Sequence, residues 1–202
     1  MNSDIMNQDL VEEIDYLVEI LTKSGFFSKE EIMEILHDQF IDDDVDFSNF
    51  NISMNNFSNE NFSKLEESFS KLSDLGIIAV HNCGYDIEEG VEDIFELYVH
   101  LYNNKFESIG FCFYTLEDVE EAIFDSKLKI TFGDFENNPK KALEIGKTVY
   151  NCLNDYFSVN WDGTVNNQIE INPFKWDKSY DSEKEYEMEG AYDNFTKNKV
   201  FE

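Results

Sequence analysis

Helical and strand patterns alternate along residues 62–176, and this alternation constrains the fold more than any other feature of the chain. Apolar residues recur at the spacing of one helix face over about 62–75, 88–103, 116–125 and 139–156. Apolar runs of strand length, continuous or alternating, lie at about 77–80, 109–114, 127–133, 157–161 and 168–172. The pattern predicts an α+β fold with a mixed sheet of about five strands.

The polarity of the strands predicts how the helices are layered on this sheet. Residues 77–80 are apolar on both faces, which predicts a central strand. The three later strands alternate apolar with polar residues, so we expect helices mainly on one face. Thr115 and Pro139 are predicted to begin two of those helices, as a capping residue and as a first-turn proline. The sequence 162–164 favours a turn, which predicts a hairpin of the last two strands.

Two further helices are predicted ahead of this region, as an N-terminal helical hairpin over residues 1–40. An apolar stripe over 8–24 ends at Gly25, a residue that commonly terminates helices. Ser28 and Glu31 have the spacing of a capping box, in which each side chain bonds to the backbone of the other residue. The second helix therefore begins just after Ser28.

The rest of the domain organisation follows from composition. Residues 41–61 are acidic and rich in Asn and Ser, and we interpret them as a linker or long loop. The α+β domain is predicted over 62–176. Residues 177–202 form a charged C-terminal tail, for which the pattern leaves two alternatives open, a docked helix or disorder.

The charge of the chain is strongly negative. It has 44 Asp and Glu residues against 15 lysines and no arginine, a formal net charge of −29. Direct binding to nucleic acid is therefore not expected, because such binding needs a basic surface. A charge of this size favours association with a basic protein. Because 42% of the residues are hydrophobic, the chain can still form a packed core.

The sequence also predicts a soluble, cytoplasmic protein without membrane contact. No basic segment precedes an apolar run, as in a signal peptide, and no apolar stretch approaches the ~20 residues of a membrane helix. The three cysteines, Cys83, Cys112 and Cys152, lack the spacing of a disulfide scaffold or zinc motif. We expect reduced, buried thiols.

The segment 81–86 holds the first group of candidate binding residues: His81, Cys83, Tyr85 and Asp86. A residue spacing of two on a strand places His81 and Cys83 on the same face. An imidazole, a thiol and an acid together are the groups that nucleophilic catalysis uses. However, the acidic residues after Cys83 oppose thiolate formation. We therefore assign no catalytic residue and keep a structural role for His81 as the main alternative.

Metal, cofactor and nucleotide sites are not expected. A metal at His81 and Cys83 needs further ligands, and the obvious one is His100. The apolar stripe of that helix comprises Val91, Ile94, Phe95, Tyr98, Leu101 and Tyr102. His100 falls opposite this stripe and is expected to pair with Glu96 in solvent. Phosphate-binding glycine motifs are missing from the sequence, as is arginine.

The second group of candidate binding residues is Trp161, Asp162 and Thr164. One interpretation is a hairpin turn whose tryptophan packs in the core. The other places Asp162 and Thr164 at a sheet edge, where they line a small polar groove with the loop 84–86. The two interpretations differ in whether the turn lies close to that loop.

Four motifs resemble a bacterial family known only as a domain of unknown function. They are HNCGYD (81–86), GFCFYTLEDVEEAI (110–123), ITFGDF (130–135) and VNWDGTVNNQIEINPFKW (159–176). The resemblance covers about 65–176, and it implies no activity and no catalytic residue. A weaker similarity, in charge and in a hairpin after a helix, is to acidic inhibitor proteins that bind an RNA-degrading enzyme.

Two functions from different classes follow. The first is a non-enzymatic acidic binding or regulatory module, inhibitor- or immunity-like, that binds a basic protein. The second is a small enzyme or ligand-binding domain that uses His81, Cys83, Tyr85 and Asp86, with Trp161 as a wall. The second function predicts that these side chains converge on one open pocket.

Overall fold

The fold is described from a computed structural model, for residues 8–43 and 45–199. The backbone divides into two compact units. Of the described residues, one unit contains those before Asn59 together with Lys178–Ser182, and the other contains Asn59–Asp177 and those after Ser182. Parts of the predicted hairpin (residues 1–7) and tail (residues 200–202) lie outside the described residues.

The first unit begins with the predicted helical hairpin. Helix α1 spans Gln8–Ser24 and helix α2 spans Lys29–Gln39, and the two pack against each other. Gly25 ends α1 with φ +71°, and the capping box of Ser28 and Glu31 is formed. The ammonium of the buried Lys178 donates to the Gly25 carbonyl at 2.5 Å. A cation at this position is favourable because the last carbonyls of a helix carry partial negative charge.

The second unit has the predicted α+β fold. Its elements in chain order are α3 (Glu60–Asp74), β1 (Ile77–Val80), α4 (Ile87–Asn103), β2 (Gly110–Phe113), α5 (Leu116–Asp125), β3 (Leu128–Gly133), α6 (Pro139–Asn154), β4 (Val159–Asn160), β5 (Ile169–Ile171) and α7 (Met188–Thr196). The five strands form one mixed sheet in the order β1-β2-β3-β5-β4. β1 and β2 are parallel, and the other neighbours, including the predicted β4–β5 hairpin, are antiparallel.

β1 is an edge strand, so the prediction of a central position is wrong. All four of its residues are nevertheless buried, because α7 packs along β1 and also contacts α3 and α4. Ala191 and Phe195 of α7 lie in the same core cluster as Ile78 and Val80. The C-terminal segment thus contains a docked helix, and this helix supplies the apolar cover that a neighbouring strand gives elsewhere.

The two faces of the sheet differ along its width. One face is apolar across all strands, and α3 and α6 pack on it; Leu128 and Ile130 of β3 lie opposite Ile171 and Ile169 of β5 there. The other face is apolar over β1 and β2, where α4 covers it. Over β3 and β5 that second face carries the pair Lys129 and Glu170. α5 contacts β3, and its Glu121 pairs with Lys129 on that face, so the polar half of the second face is partly covered.

Candidate functional site

His81 follows β1 directly, and its imidazole lies within a cluster of aromatic rings. The ring stacks on Phe69 of α3, with 4.4 Å between centroids, and Tyr186 contacts it edge-on at 5.9 Å. Its Nδ1 lies 2.8 Å from the hydroxyl of Tyr114. Burial raises the pKa of Tyr114 well above its ordinary value, so this phenol stays protonated. The contact joins two buried polar groups inside the core.

A cavity of about 400 Å³ lies beside His81, between α3, β1 and the segment that leads into α7. Its walls carry charges of both signs, and these groups bond to one another. Lys184 forms an ion pair with Glu66 at 3.0 Å, and Lys197 donates to the Ser70 hydroxyl at 2.7 Å. The walls therefore connect α3 to the C-terminal segment through polar contacts.

Cys83 does not share a face with His81, and the predicted pairing of the two side chains is wrong. Asn82 between them has φ +49°, a left-handed conformation that ends the alternation of β1. As a result His81 lies against α3, whereas Cys83 joins the core cluster that packs on α4. The imidazole and the thiol therefore do not meet.

The environment of Cys83 also differs from that of a reactive thiol. Its side chain is 1% exposed, and its Sγ donates to the carbonyl of Gly90 at 3.4 Å. Burial, and then the charges of Asp93 and Glu187, raise the pKa of the thiol far above its ordinary value. A nucleophilic cysteine needs a lowered pKa, so Cys83 packs as a small hydrophobic side chain.

Tyr85 and Asp86 lie at the start of α4. Asp86 caps this helix, and its Oδ1 accepts the backbone N–H of Glu89 at 3.0 Å. Tyr85 is 51% exposed, and its pKa is raised by partial burial and then by the charges of Glu117 and Glu120 on α5. The ring thus stands between the acidic first turns of two helices.

Trp161, Asp162 and Thr164 form a turn whose polar groups bond within the turn. The Asp162 Oδ1 accepts both the backbone N–H and the hydroxyl of Thr164, each at 2.9 Å. Its Oδ2 accepts the Asn167 amide at 2.6 Å, and these bonds, the Asn167 bond most, lower the pKa of Asp162. The Trp161 indole N–H donates to the Thr164 carbonyl at 3.0 Å and its ring edge packs on Phe132.

The turn lies far from the loop 84–86, so a groove shared by the two is ruled out. The turn follows β4, which is the last strand of the sheet, whereas the loop follows β1, which is the first. Neighbouring strands are about 4.8 Å apart, so the two edges are separated by roughly 19 Å. Trp161 and Asp162 line a separate, open groove at the β4 edge.

Two further predictions concern a metal site and the contacts of His100. In residues 8–43 and 45–199, no three His, Cys, Asp or Glu side chains are placed together to hold a metal ion. His100 is exposed as predicted, but its ring lies 5.1 Å from that of Tyr192, and the expected ion pair with Glu96 is not formed. No helix of the described part of the chain has the length and apolarity to cross a bilayer.

Helix α4 exposes part of its apolar stripe. The structure buries Ile94, Leu97 and Leu101. It leaves Phe95 43% exposed and Tyr102 66% exposed. The apolar arc of α4 is therefore wider than the sheet beneath it, and its outer edge faces solvent.

Acidic side chains border this exposed edge. Glu88, Glu92 and Glu96 are exposed and recur every four residues, so they form a row along the helix. Between Lys71 and Lys105 the sequence has seven acidic residues and no lysine. We call the exposed Phe95 and Tyr102, the partly buried Tyr98 and this row of glutamates the α4 surface.

Within residues 8–43 and 45–199, no lysine forms an ion pair with a carboxylate of α4. Partial burial raises the pKa of Asp93, and the charges of Glu96, Glu89 and Glu92 raise it further. In contrast, lysines elsewhere in the chain pair with local acids, as Lys129 does with Glu121 at 2.7 Å. The negative field is therefore strong at the α4 surface.

A groove of about 490 Å³ continues the α4 surface toward the first half of α6. Phe135 stacks on Tyr98 with 3.9 Å between ring centroids, and Ile109, which is 60% exposed, lies in the same groove. The groove is also lined by three acidic residues, Asp134, Glu136 and Glu144, and by Lys141, which pairs with Glu136. It thus combines an aromatic base with acidic walls.

The sequence contains two signals for this surface. One is the width of the apolar arc on α4, because a helix that packs on a single sheet face buries only part of such an arc. The other is the gap without lysine from residue 72 to residue 104. Taken together, they mark a helix that is both apolar and acidic where it faces solvent.

Comparison with known proteins gives one match. The model of a family described as "Domain of unknown function (DUF6891)" matches residues 54–180. The resemblance inferred from the motifs is thereby confirmed at the level of a family without an assigned activity. Searches of the curated proteins and of the solved structures give no match.

Proposed function

Because the chain belongs to this DUF6891 family, whose description assigns no activity, we propose a function from the surface itself. The protein is an acidic, non-enzymatic binding module, and it engages a basic protein through the α4 surface. One observation carries the proposal: exposed aromatic side chains of α4 lie beside carboxylates that form no ion pair with a lysine in the described part of the chain.

This combination matches the anatomy of protein interfaces. Aromatic residues are enriched at interfaces, and tyrosine is common among the few positions that dominate the binding energy, since its ring buries a large area with few rotatable bonds. Charges around such residues speed the encounter and reject partners of like charge. With a net charge of −29, the partner that this field attracts is positively charged.

A capture experiment tests the proposal. The immobilised protein is exposed to a lysate at about 50 mM salt and washed at rising salt, because ionic screening shortens the range of charge attraction. We expect the retained proteins to be basic, and to elute before about 500 mM salt.

Two variants locate the binding. The triple variant Glu88→Lys, Glu92→Lys, Glu96→Lys reverses the row on α4. Its control, Glu12→Lys, Glu13→Lys, Asp15→Lys, makes the same change in net charge on α1, where all three side chains are exposed. The α4 variant should lose capture and the control should keep it, with circular dichroism confirming that both are folded. Retention that is insensitive to salt, or recovery of no basic protein, contradicts the proposal.

A further inference from the structure

The shape of the α4 surface points to the kind of segment that occupies it. The exposed apolar residues run along the helix from Ile87, which is 45% exposed, to Tyr102. Fifteen residues of helix rise about 22 Å. An apolar row of this length on one helix matches the row of a second helix packed alongside it, since helices pack by fitting side-chain ridges into grooves.

The groove beside Tyr98 gives this second helix a place for large side chains. Its volume of about 490 Å³ is lined by Phe135 and Ile109 as well as by Tyr98 itself. The stacked pair Tyr98 and Phe135 forms a flat apolar wall. A leucine or phenylalanine side chain of a docked helix fits such a site as an anchor.

The charges on both sides of the apolar stripe of α4 specify which residues the docked helix carries beside its own apolar stripe. The row Glu88, Glu92 and Glu96 lies on one side of the apolar stripe. Acidic residues of the segment 134–144 line the groove on its other side. Lys141 is engaged by Glu136 at 2.6 Å, so it does not offset the remaining carboxylates. A helix that fits here carries lysine or arginine on both sides of its apolar stripe.

We propose that the α4 surface binds a basic amphipathic helix of about four turns, with its apolar stripe against Phe95, Tyr98 and Tyr102. This inference rests on the proposed function and specifies the partner segment. The length of four turns follows from the apolar row of about 22 Å and the 5.4 Å pitch of a helix. The recognition mode is that of an amphipathic helix in an apolar groove.

Three labelled synthetic peptides test the inference by fluorescence anisotropy at low salt. The first has leucines at helical spacing flanked by lysines, the second has the same composition in scrambled order, and the third keeps the leucines but replaces lysine with glutamine. We expect the first to bind at least about tenfold more tightly than either of the others. Its circular dichroism should also become more helical on binding.

A pair of protein variants tests whether the peptide binds at the α4 surface. The double variant Phe95→Ala, Tyr102→Ala keeps every charge and removes two apolar contacts. The control Phe124→Ala removes a phenylalanine of similar exposure (45%) on α5. The double variant should weaken the first peptide at least about tenfold, whereas the control should leave its affinity within about twofold.

The outcomes separate the inference from the proposed function. Equal binding of the ordered and scrambled basic peptides overturns the helix inference and leaves a basic partner in place. Strong binding of the uncharged peptide, or binding of none of the three, overturns both. Binding that survives the change of Phe95 and Tyr102 overturns the location on α4.

Discussion

Helices α4 and α7 each carry a phenylalanine whose burial is the reverse of what the sequence suggests. Phe195 lies in the charged C-terminal tail and is 1% exposed, whereas Phe95 lies in an apolar stripe and is 43% exposed. α7 covers the edge strand β1 and so buries its phenylalanine. α4 already covers β1 and β2 with Ile94 and Leu97, which leaves Phe95 on the outer edge.

The difference shows that burial follows from what a helix covers. When a helix carries more apolar side chains than the neighbouring elements cover, the uncovered side chains face solvent. Under the proposed function such exposed residues form the binding surface, whereas the imidazole of His81 and the thiol of Cys83 are bonded within the core.

The largest expected effect is on stability and is the difference between replacing Phe195 and replacing Phe95. We expect Phe195→Ala to lower the free energy of unfolding by about 3–5 kcal/mol, since it leaves a cavity in the core. Phe95→Ala should lower it by less than about 1 kcal/mol. Urea denaturation of the two variants measures both values. Equal losses of stability in the two variants would contradict the burial of Phe195 and the exposure of Phe95.

A smaller effect is expected at His81, whose imidazole bonds to the Tyr114 hydroxyl. His81→Ala leaves the buried Tyr114 hydroxyl without its imidazole partner, and we expect a loss of about 2–3 kcal/mol. Combining it with Tyr114→Phe should cost less than the sum of the two single changes, because both remove the same bond. A double-mutant cycle by urea denaturation measures this coupling. Additive losses would argue against a structural role for the contact.

The smallest expected effect is a gain in stability at Asp93. Because its pKa is raised in the folded protein, the folded state favours the protonated carboxyl and the charged form costs stability at neutral pH. Asp93→Asn should therefore stabilise the protein by about 0.3 kcal/mol at low salt, a value reduced by solvent screening. The gain should decrease as the pH falls through this raised pKa. High salt should reduce the gain without abolishing it, since burial is the first cause of the shift and salt screens only the neighbouring charges. Loss of stability in Asp93→Asn would mean that the carboxylate has an attractive partner.

Much of the fold can be read from the sequence, because local patterns determine it. The capping box at Thr115 and Asp118 and the first-turn Pro139 place two helices correctly. The turn signal at 162–164 also predicts the antiparallel pairing of β4 and β5. These features depend on residues within a few positions of each other.

The rest depends on contacts between distant segments. The edge position of β1 cannot be read from residues 77–80, since their cover comes from α7 more than a hundred residues later. The separation of His81 from Cys83 depends on one left-handed residue, Asn82. No periodic pattern of residues signals either feature. The candidate residues at 81–86 are therefore close together in the sequence, whereas their side chains are separated in the structure.

Chemical-shift mapping by NMR tests the central claim most directly. The basic amphipathic peptide is added to ¹⁵N-labelled protein, and the backbone and indole N–H signals are followed. The account predicts that the largest shifts fall in α4 and at residues 134–136, while the Trp161 indole signal stays in place. Shifts centred on the turn 161–164 or on the residues that line the His81 cavity would contradict it.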